Sequence, residues 1–179
     1  MQLRSTLLAM AISAATFSTT AYAGAESGGF IGMGIGQSSI EFPELGGSFE
    51  ADDTGYKFML GYNFGIVPLL DLGIEGAYVN FGDLKDGPIE YKQTAWDGFG
   101  LIGLSLGPFG LFGKGGLAAW DGETTIGSTT TKKSGTDPVY GIGARLQIAK
   151  VSARLEYEYF DLEGTDDTSM TSFSLLYTF

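Results

Sequence analysis

Arg154, Glu156 and Glu158 stand two residues apart in the run Arg154-Leu155-Glu156-Tyr157-Glu158-Tyr159. On an extended chain that spacing puts the three charges on one face and Leu155, Tyr157 and Tyr159 on the other. Two carboxylates on one face could do acid–base work if a cleft brought substrate to them. Lys57, Glu75, Lys114 and Arg145 are further charges set among apolar or glycine-rich residues. Together these seven offer ion pairing, proton transfer or a path for small ions. The chain has no histidine and no cysteine. That removes the commonest general base and metal ligand, and with them disulfides and thiolate metal sites. A Ser–Lys pair is left for nucleophilic chemistry, but no spacing recommends one. Gly32-Met33-Gly34-Ile35-Gly36 lacks the GxGxxG spacing, and Gly113-Lys114-Gly115 lacks the rest of a phosphate loop. No run has the oxygen-ligand spacing of a calcium loop. No cofactor, metal or catalytic set is expected.

The elements that carry these charges read as strands. Tyr56, Phe58, Leu60, Tyr62 and Phe64 alternate with Lys57, Met59, Gly61 and Asn63. Tyr140, Ile142, Ala144, Leu146 and Ile148 alternate with Val139, Gly141, Gly143, Arg145 and Gln147. Period two is the signature of a strand with two unlike faces. Eight strands follow: Gly28 to Ser39, Thr54 to Ile66, Leu70 to Phe81, Gln93 to Leu106, Phe109 to Trp120, Pro138 to Ile148, Val151 to Phe160, and Met170 to Phe179. In the fourth the parity is ambiguous around Asp97 and Phe99, where a bulge is one reading and Asp97 joining the charged face another. The connections alternate long and short. Ile40 to Asp53, Gly82 to Lys92, Asp121 to Asp137 and Asp161 to Thr168 are long; Val67-Pro68, Gly107-Pro108 and Ala149-Lys150 are tight. All five prolines fall in connections or at a strand start, where no ladder donor is lost.

Charges decide which face is inside. Lys57, Glu75, Lys114, Arg145, Arg154, Glu156 and Glu158 share faces with glycine and small residues, while the opposite faces carry aromatics and aliphatics. A soluble barrel would reverse this. Polar inside and apolar outside, with an even strand number and alternating loop lengths, predicts an all-β fold: an eight-stranded antiparallel transmembrane β-barrel of the outer-membrane type. Unpaired charge is expensive in so narrow a barrel, so the seven should pair across the lumen. Two readings stay open, a stabilising plug and a gated path for small ions.

The first residues carry an address. Arg4 precedes a short apolar core from Leu7 to Ile12, and Ala21-Tyr22-Ala23 has the small-x-small pattern of a cleavage site. Residues 1–23 are expected to be a signal peptide removed after Ala23, and residues 24–179 the barrel domain. Net charge is −11, with most acids in the four long loops. So acidic a chain is not a nucleic-acid binder. Trp96, Trp120, Tyr56, Tyr78, Tyr91 and Tyr159 near one set of strand ends, and Tyr62, Phe64, Tyr177 and Phe179 near the other, read as two aromatic girdles at headgroup depth.

Phe112-Gly113-Lys114-Gly115-Gly116-Leu117, the Arg154 to Tyr159 run and the terminal Phe179 resemble the eight-stranded membrane domain of outer-membrane protein A. They are also similar to its small relatives, including porin-like and adhesion/invasion (Ail/Lom-type) barrels. The resemblance implies a Gram-negative outer-membrane location and contact with membrane lipid and lipopolysaccharide. It also implies that Phe173, Leu175, Tyr177 and Phe179 form the signal read by the barrel-assembly machinery. The larger members carry a peptidoglycan-binding domain after the barrel; with nothing after Phe179, that anchoring is not expected. The leading functional expectation is a non-enzymatic monomer with a structural and surface-interaction role, its acidic loops meeting host or envelope partners. The alternative is a narrow porin-like channel for small solutes. An enzyme acting on lipid is a third class, for which the missing histidine removes the Ser–His mechanism.

Overall fold

The computed structural model describes residues 27–42, 49–67, 69–86, 89–126, 129–161 and 167–179. The expected leader and its expected cleavage site lie outside the described residues. Eight strands run in chain order: β1 (Gly28–Phe42), β2 (Phe49–Val67), β3 (Leu70–Asp86), β4 (Ile89–Leu106), β5 (Phe109–Ile126), β6 (Thr129–Ile148), β7 (Val151–Phe160) and β8 (Asp167–Thr178). Each pairs antiparallel with the next, and β8 returns to β1 to close the barrel. Phe30 faces Thr178 and Glu41 faces Asp167 across that seam. Closure leaves no unpaired edge, which is the condition for exposing a sheet to lipid.

The alternation read from the sequence sets the two faces. Ile31, Phe58, Leu60, Ile74, Ile102, Leu104, Leu155 and Leu175 are exposed on the outside, while Lys57, Glu75, Lys114, Arg154, Glu156 and Glu158 are buried inside. In β4 the parity is unbroken: Asp97 and Phe99 both face inward, and β4 pairs with β5 residue for residue. The bulge considered there lies instead in β3, where Asn80 faces Thr94 but Asp83 faces Lys92. Gly82 supplies the extra residue with φ +91°, a conformation that favours glycine. The bulge is pinned from both sides. Gly82 N–H donates to Asn80 Oδ1 at 2.9 Å, and Asp83 N–H donates to Asp53 Oδ2 at 2.6 Å.

Most of the expected long loops are strand. β2 begins at Phe49, β3 runs to Asp86, and β5 and β6 extend to Ile126 and from Thr129. These extensions carry Thr, Ser, Asp, Glu and Lys on both faces, so no hydrophobic period marks them. Their ladder hydrogen bonds form regardless, with Glu123 facing Lys132 and Thr125 facing Thr130. A span needs only about 9–11 residues per strand, so β2 to β6, at 17 to 20 residues, rise well beyond it. β7 has 10 residues, so the wall is tall on one side and low on the other. Pro138 therefore sits within β6, not at its start. Its carbonyl accepts from Asp161 N–H at 3.0 Å where β7 ends, so the absent proline donor faces the top of the β6–β7 ladder and breaks nothing. The opposite barrel end has tight turns, with Leu69, Gly107 and Ala149 at positive φ.

Candidate functional site: a charged network across the lumen

The interior is layered. Toward the tall hairpins it is largely apolar, with Val79, Phe81, Val139, Phe160, Met170 and Trp120 buried. Phe81 and Phe160 meet edge to face at 5.0 Å between ring centres. Trp120 donates its indole N–H to Asp137 Oδ2 at 2.6 Å. Below this layer lie six of the seven charges singled out in the sequence. Lys57 Nζ reaches Glu156 Oε2 at 2.6 Å and Glu158 Oε2 at 2.8 Å. Lys114 Nζ lies 3.1 Å from Glu75 Oε1, 3.0 Å from Glu156 Oε1 and 2.7 Å from Glu158 Oε1. Arg154 Nη1 reaches Glu75 Oε2 at 2.7 Å. The Arg154 guanidinium stands between the Phe30 and Phe112 rings, 4.9 and 5.2 Å from their centres. Lys114 is also 4.2 Å from the centre of the Phe99 ring. Both lysine side chains and their three glutamate partners are fully buried.

Arg145 is not part of this network. It lies toward the tight-turn end, where Nη2 bonds Asp71 Oδ2 and Ser105 Oγ, each at 2.6 Å. Ser105 in turn donates to Asp71. Asp71 stands four residues before Glu75 and so shares its inward parity, while Ser105 carries no charge that would draw attention to it. The inward Asp97 makes no ion pair or hydrogen bond among the described residues.

The aromatic assignment needs one correction. Trp96 is 66 % exposed on the outside and packs on Tyr78 at 5.0 Å, but Trp120 and Tyr91 point inward and are buried. The missed signal was phase. Trp120 is six residues from Lys114 and Tyr91 six from Asp97, so each shares the inner face. Tyr62 and Phe64, and Tyr177 and Phe179, do stand outside as close ring pairs. Phe173, Leu175 and Tyr177 form the exposed face of β8, and Phe179, one residue past its end, is exposed beside Tyr177.

Chemically, the network holds its carboxylates rather than offering them. Glu156 and Glu158 each accept from lysine, and both side chains are fully buried. Among the described residues no group of three acids, histidines or cysteines could hold a metal. On the hairpins, charges pair in the open: Lys132 meets Glu123 at 2.8 Å and Lys92 meets Asp83 at 3.9 Å. The hydrogen bond to Glu123 raises the Lys132 ammonium above its ordinary pKa.

Comparison with known proteins places this geometry. Residues 5–179 match the family described as outer membrane protein beta-barrel domain. A 22 kDa outer membrane protein of Rhizobium leguminosarum bv. viciae is 33 % identical over 128 residues, 68 % of this chain and 56 % of that protein. The chain thus spans little more than half the length of that relative. Among solved structures, Neisserial surface protein A superposes with a TM-score of 0.65 at 11 % identity, covering 86 % of this chain and 98 % of that one. Ail, the attachment invasion locus protein of Yersinia pestis, gives 0.60 at 15 % identity, covering 85 % and 99 %.

Proposed function

The chain belongs to the outer membrane protein beta-barrel domain family, and from that premise we propose a non-enzymatic surface protein that meets its partners through the outer hairpins. It is an outer-membrane β-barrel protein of the Ail, Neisserial surface protein A and outer-membrane protein A type, located in the outer membrane. The finer reading rests on one observation: buried ion pairs cross the lumen. Lysines and glutamates lock across it with fully buried side chains, an arrangement that favours a filled lumen over an open path through the barrel. What the protein offers to its surroundings is the lipid-facing wall and the hairpins that rise above it. Ail has been crystallised with the heparin analogue sucrose octasulfate, an interaction of that protein which gives this reading a precedent on a similar fold. The hairpins here are mostly acidic, so a basic or mixed-charge partner suits them better than a sulfated one.

The test separates binding from transport. Deleting residues 126–134 at the β5–β6 tip should abolish binding to host or envelope surfaces while the barrel still inserts. The same barrel in a planar bilayer should stay silent. Steady openings altered by Lys114→Ala would instead favour the narrow-channel reading.

Two further assignments belong to this proposal. The exposed β8 face of Phe173, Leu175 and Tyr177, with Phe179 just past its end, serves as the assembly signal, so Phe179→Ala should slow insertion by the assembly machinery without changing the folded barrel. Export removes residues 1–23, so N-terminal sequencing of the membrane-extracted protein should begin at Gly24.

A further inference from the structure

The buried charges do not balance. Arg145 is committed to Asp71. That leaves Lys57, Lys114 and Arg154 facing Glu75, Glu156, Glu158 and Asp97, all of them buried. Every one of these except Asp97 has a close partner of opposite sign. Asp97 is 6 % exposed, and neither of its carboxylate oxygens accepts a hydrogen bond among the described residues.

Its surroundings explain why. Across the ladder its neighbours on the inner face are Ala77 on β3 and Ala118 on β5. Along β4 they are Ala95 and Phe99. None offers a polar side-chain atom. The charged groups that act on it from other strands are Glu158 of β7, Lys114 of β5, Lys57 of β2 and Glu75 of β3. Lys114 is held by three glutamates and Lys57 by two, and the two acids repel Asp97. A bare carboxylate in such a place is costly. A single added positive charge would balance the layer.

We propose that Asp97 is the binding point for one exchangeable monovalent cation, a proton or an alkali-metal ion drawn from the water at one end of the barrel. A proton would sit on the carboxylate itself. An alkali-metal ion would bring water as its remaining ligands. The site is separate from the hairpin surface, and the proposal stands whether or not the hairpins bind a partner.

The experiment uses the mature barrel refolded in phospholipid vesicles, with folding checked by heat-modifiable migration. Infrared spectra of wild type and Asp97→Asn are compared in NaCl, KCl and N-methylglucamine hydrochloride across the pH range in which the barrel stays folded. Urea unfolding is followed under the same conditions. A neutral carboxylic-acid C=O band present in wild type and lost in Asp97→Asn identifies the proton. Absence of that band, with a midpoint raised by Na⁺ or K⁺ in wild type but not in Asp97→Asn, identifies the metal ion. Neither band nor cation-specific shift would overturn the proposal and leave Asp97 a bare carboxylate compensated by Lys114 at longer range. Should Asp97→Asn not fold, Asp97→Ala, which extends the surrounding alanine lining, serves as the same control.

Discussion

Lys57 Nζ and Glu156 Oε2 lie 2.6 Å apart, although 99 residues separate them and their strands, β2 and β7, are not neighbours in the sheet. The same holds for Lys114 of β5 with Glu75 of β3, and for Arg154 of β7 with Glu75. Every bond of the central network crosses the lumen between strands that share no ladder. Hydrogen bonds define the wall; the network fixes how far apart opposite sides of the wall stand.

Removing one cation from this network should cost far more than a surface pair would. Lys114 contacts Glu75, Glu156 and Glu158, so Lys114→Met leaves three buried carboxylates with Lys57 and Arg154 alone. Breaking a buried pair from one side costs roughly 3–5 kcal/mol. The expected result is a loss of that size in urea unfolding from lipid vesicles. Adding Glu158→Gln should recover part of it, because one uncompensated charge goes with it. Equal stability of Lys114→Met and wild type would show that the network contributes nothing to folding.

Arg154 should not tolerate lysine. Its guanidinium lies between Phe30 and Phe112 while Nη1 bonds Glu75. An ammonium keeps the charge but loses the flat stacking surface. Arg154→Lys is expected to lower stability by about 1–2 kcal/mol, the scale of desolvated cation–π contacts. Arg154→Lys combined with Phe112→Leu should cost less than the two single changes summed.

Much of this was legible because a barrel wall has only two faces. Once Tyr56 to Phe64 fixed the phase of one strand, Lys57 had to point inward, and the same logic gathered Glu75, Lys114, Arg154, Glu156 and Glu158. Parity assigns a face but not a height along the barrel axis. Arg145 shares the inner face yet sits nearer the tight turns, with Asp71 and Ser105, so it never meets the central glutamates. Above the membrane, both faces meet water and the period-two signal fades, which is why Thr129 to Asp137 looked like loop and is strand. The β3 bulge at Gly82 depends on Asp53, about thirty residues earlier, and no local pattern could announce it.

Two glycines in facing strands should respond oppositely to the same change. A side chain on Gly116 would drive into the Gly98 backbone carbonyl, whereas one on Gly98 would meet nothing within 4 Å. Gly116→Ala must push β4 and β5 apart beside Lys114 and is expected to destabilise by about 1–3 kcal/mol, as for other overpacked sites. Gly98→Ala points toward lipid and should be neutral or mildly stabilising, since glycine in a strand interior costs roughly 0.5–1 kcal/mol against alanine. Unfolding of the two variants side by side checks both signs.

The chain has two tryptophans, and they report on opposite sides of the wall. Trp96 is 66 % exposed on the outside, against Tyr78, while Trp120 is 6 % exposed and bonded to Asp137 within the barrel. Lipids brominated along their acyl chains quench by contact, so they should reach Trp96 and not Trp120. Fluorescence of wild type in such vesicles is expected to fall partway. In Trp96→Phe the remaining emission should be nearly insensitive to bromine; in Trp120→Phe most of it should be lost. Substituting Asp137→Ala removes the indole's acceptor, leaving a buried N–H unsatisfied at a cost of about 1–3 kcal/mol. Its emission should then change while bromine still fails to quench it, because the wall between Trp120 and lipid is intact. Equal quenching of the two tryptophans would place Trp120 in the girdle after all and remove it from the buried apolar layer above the charges.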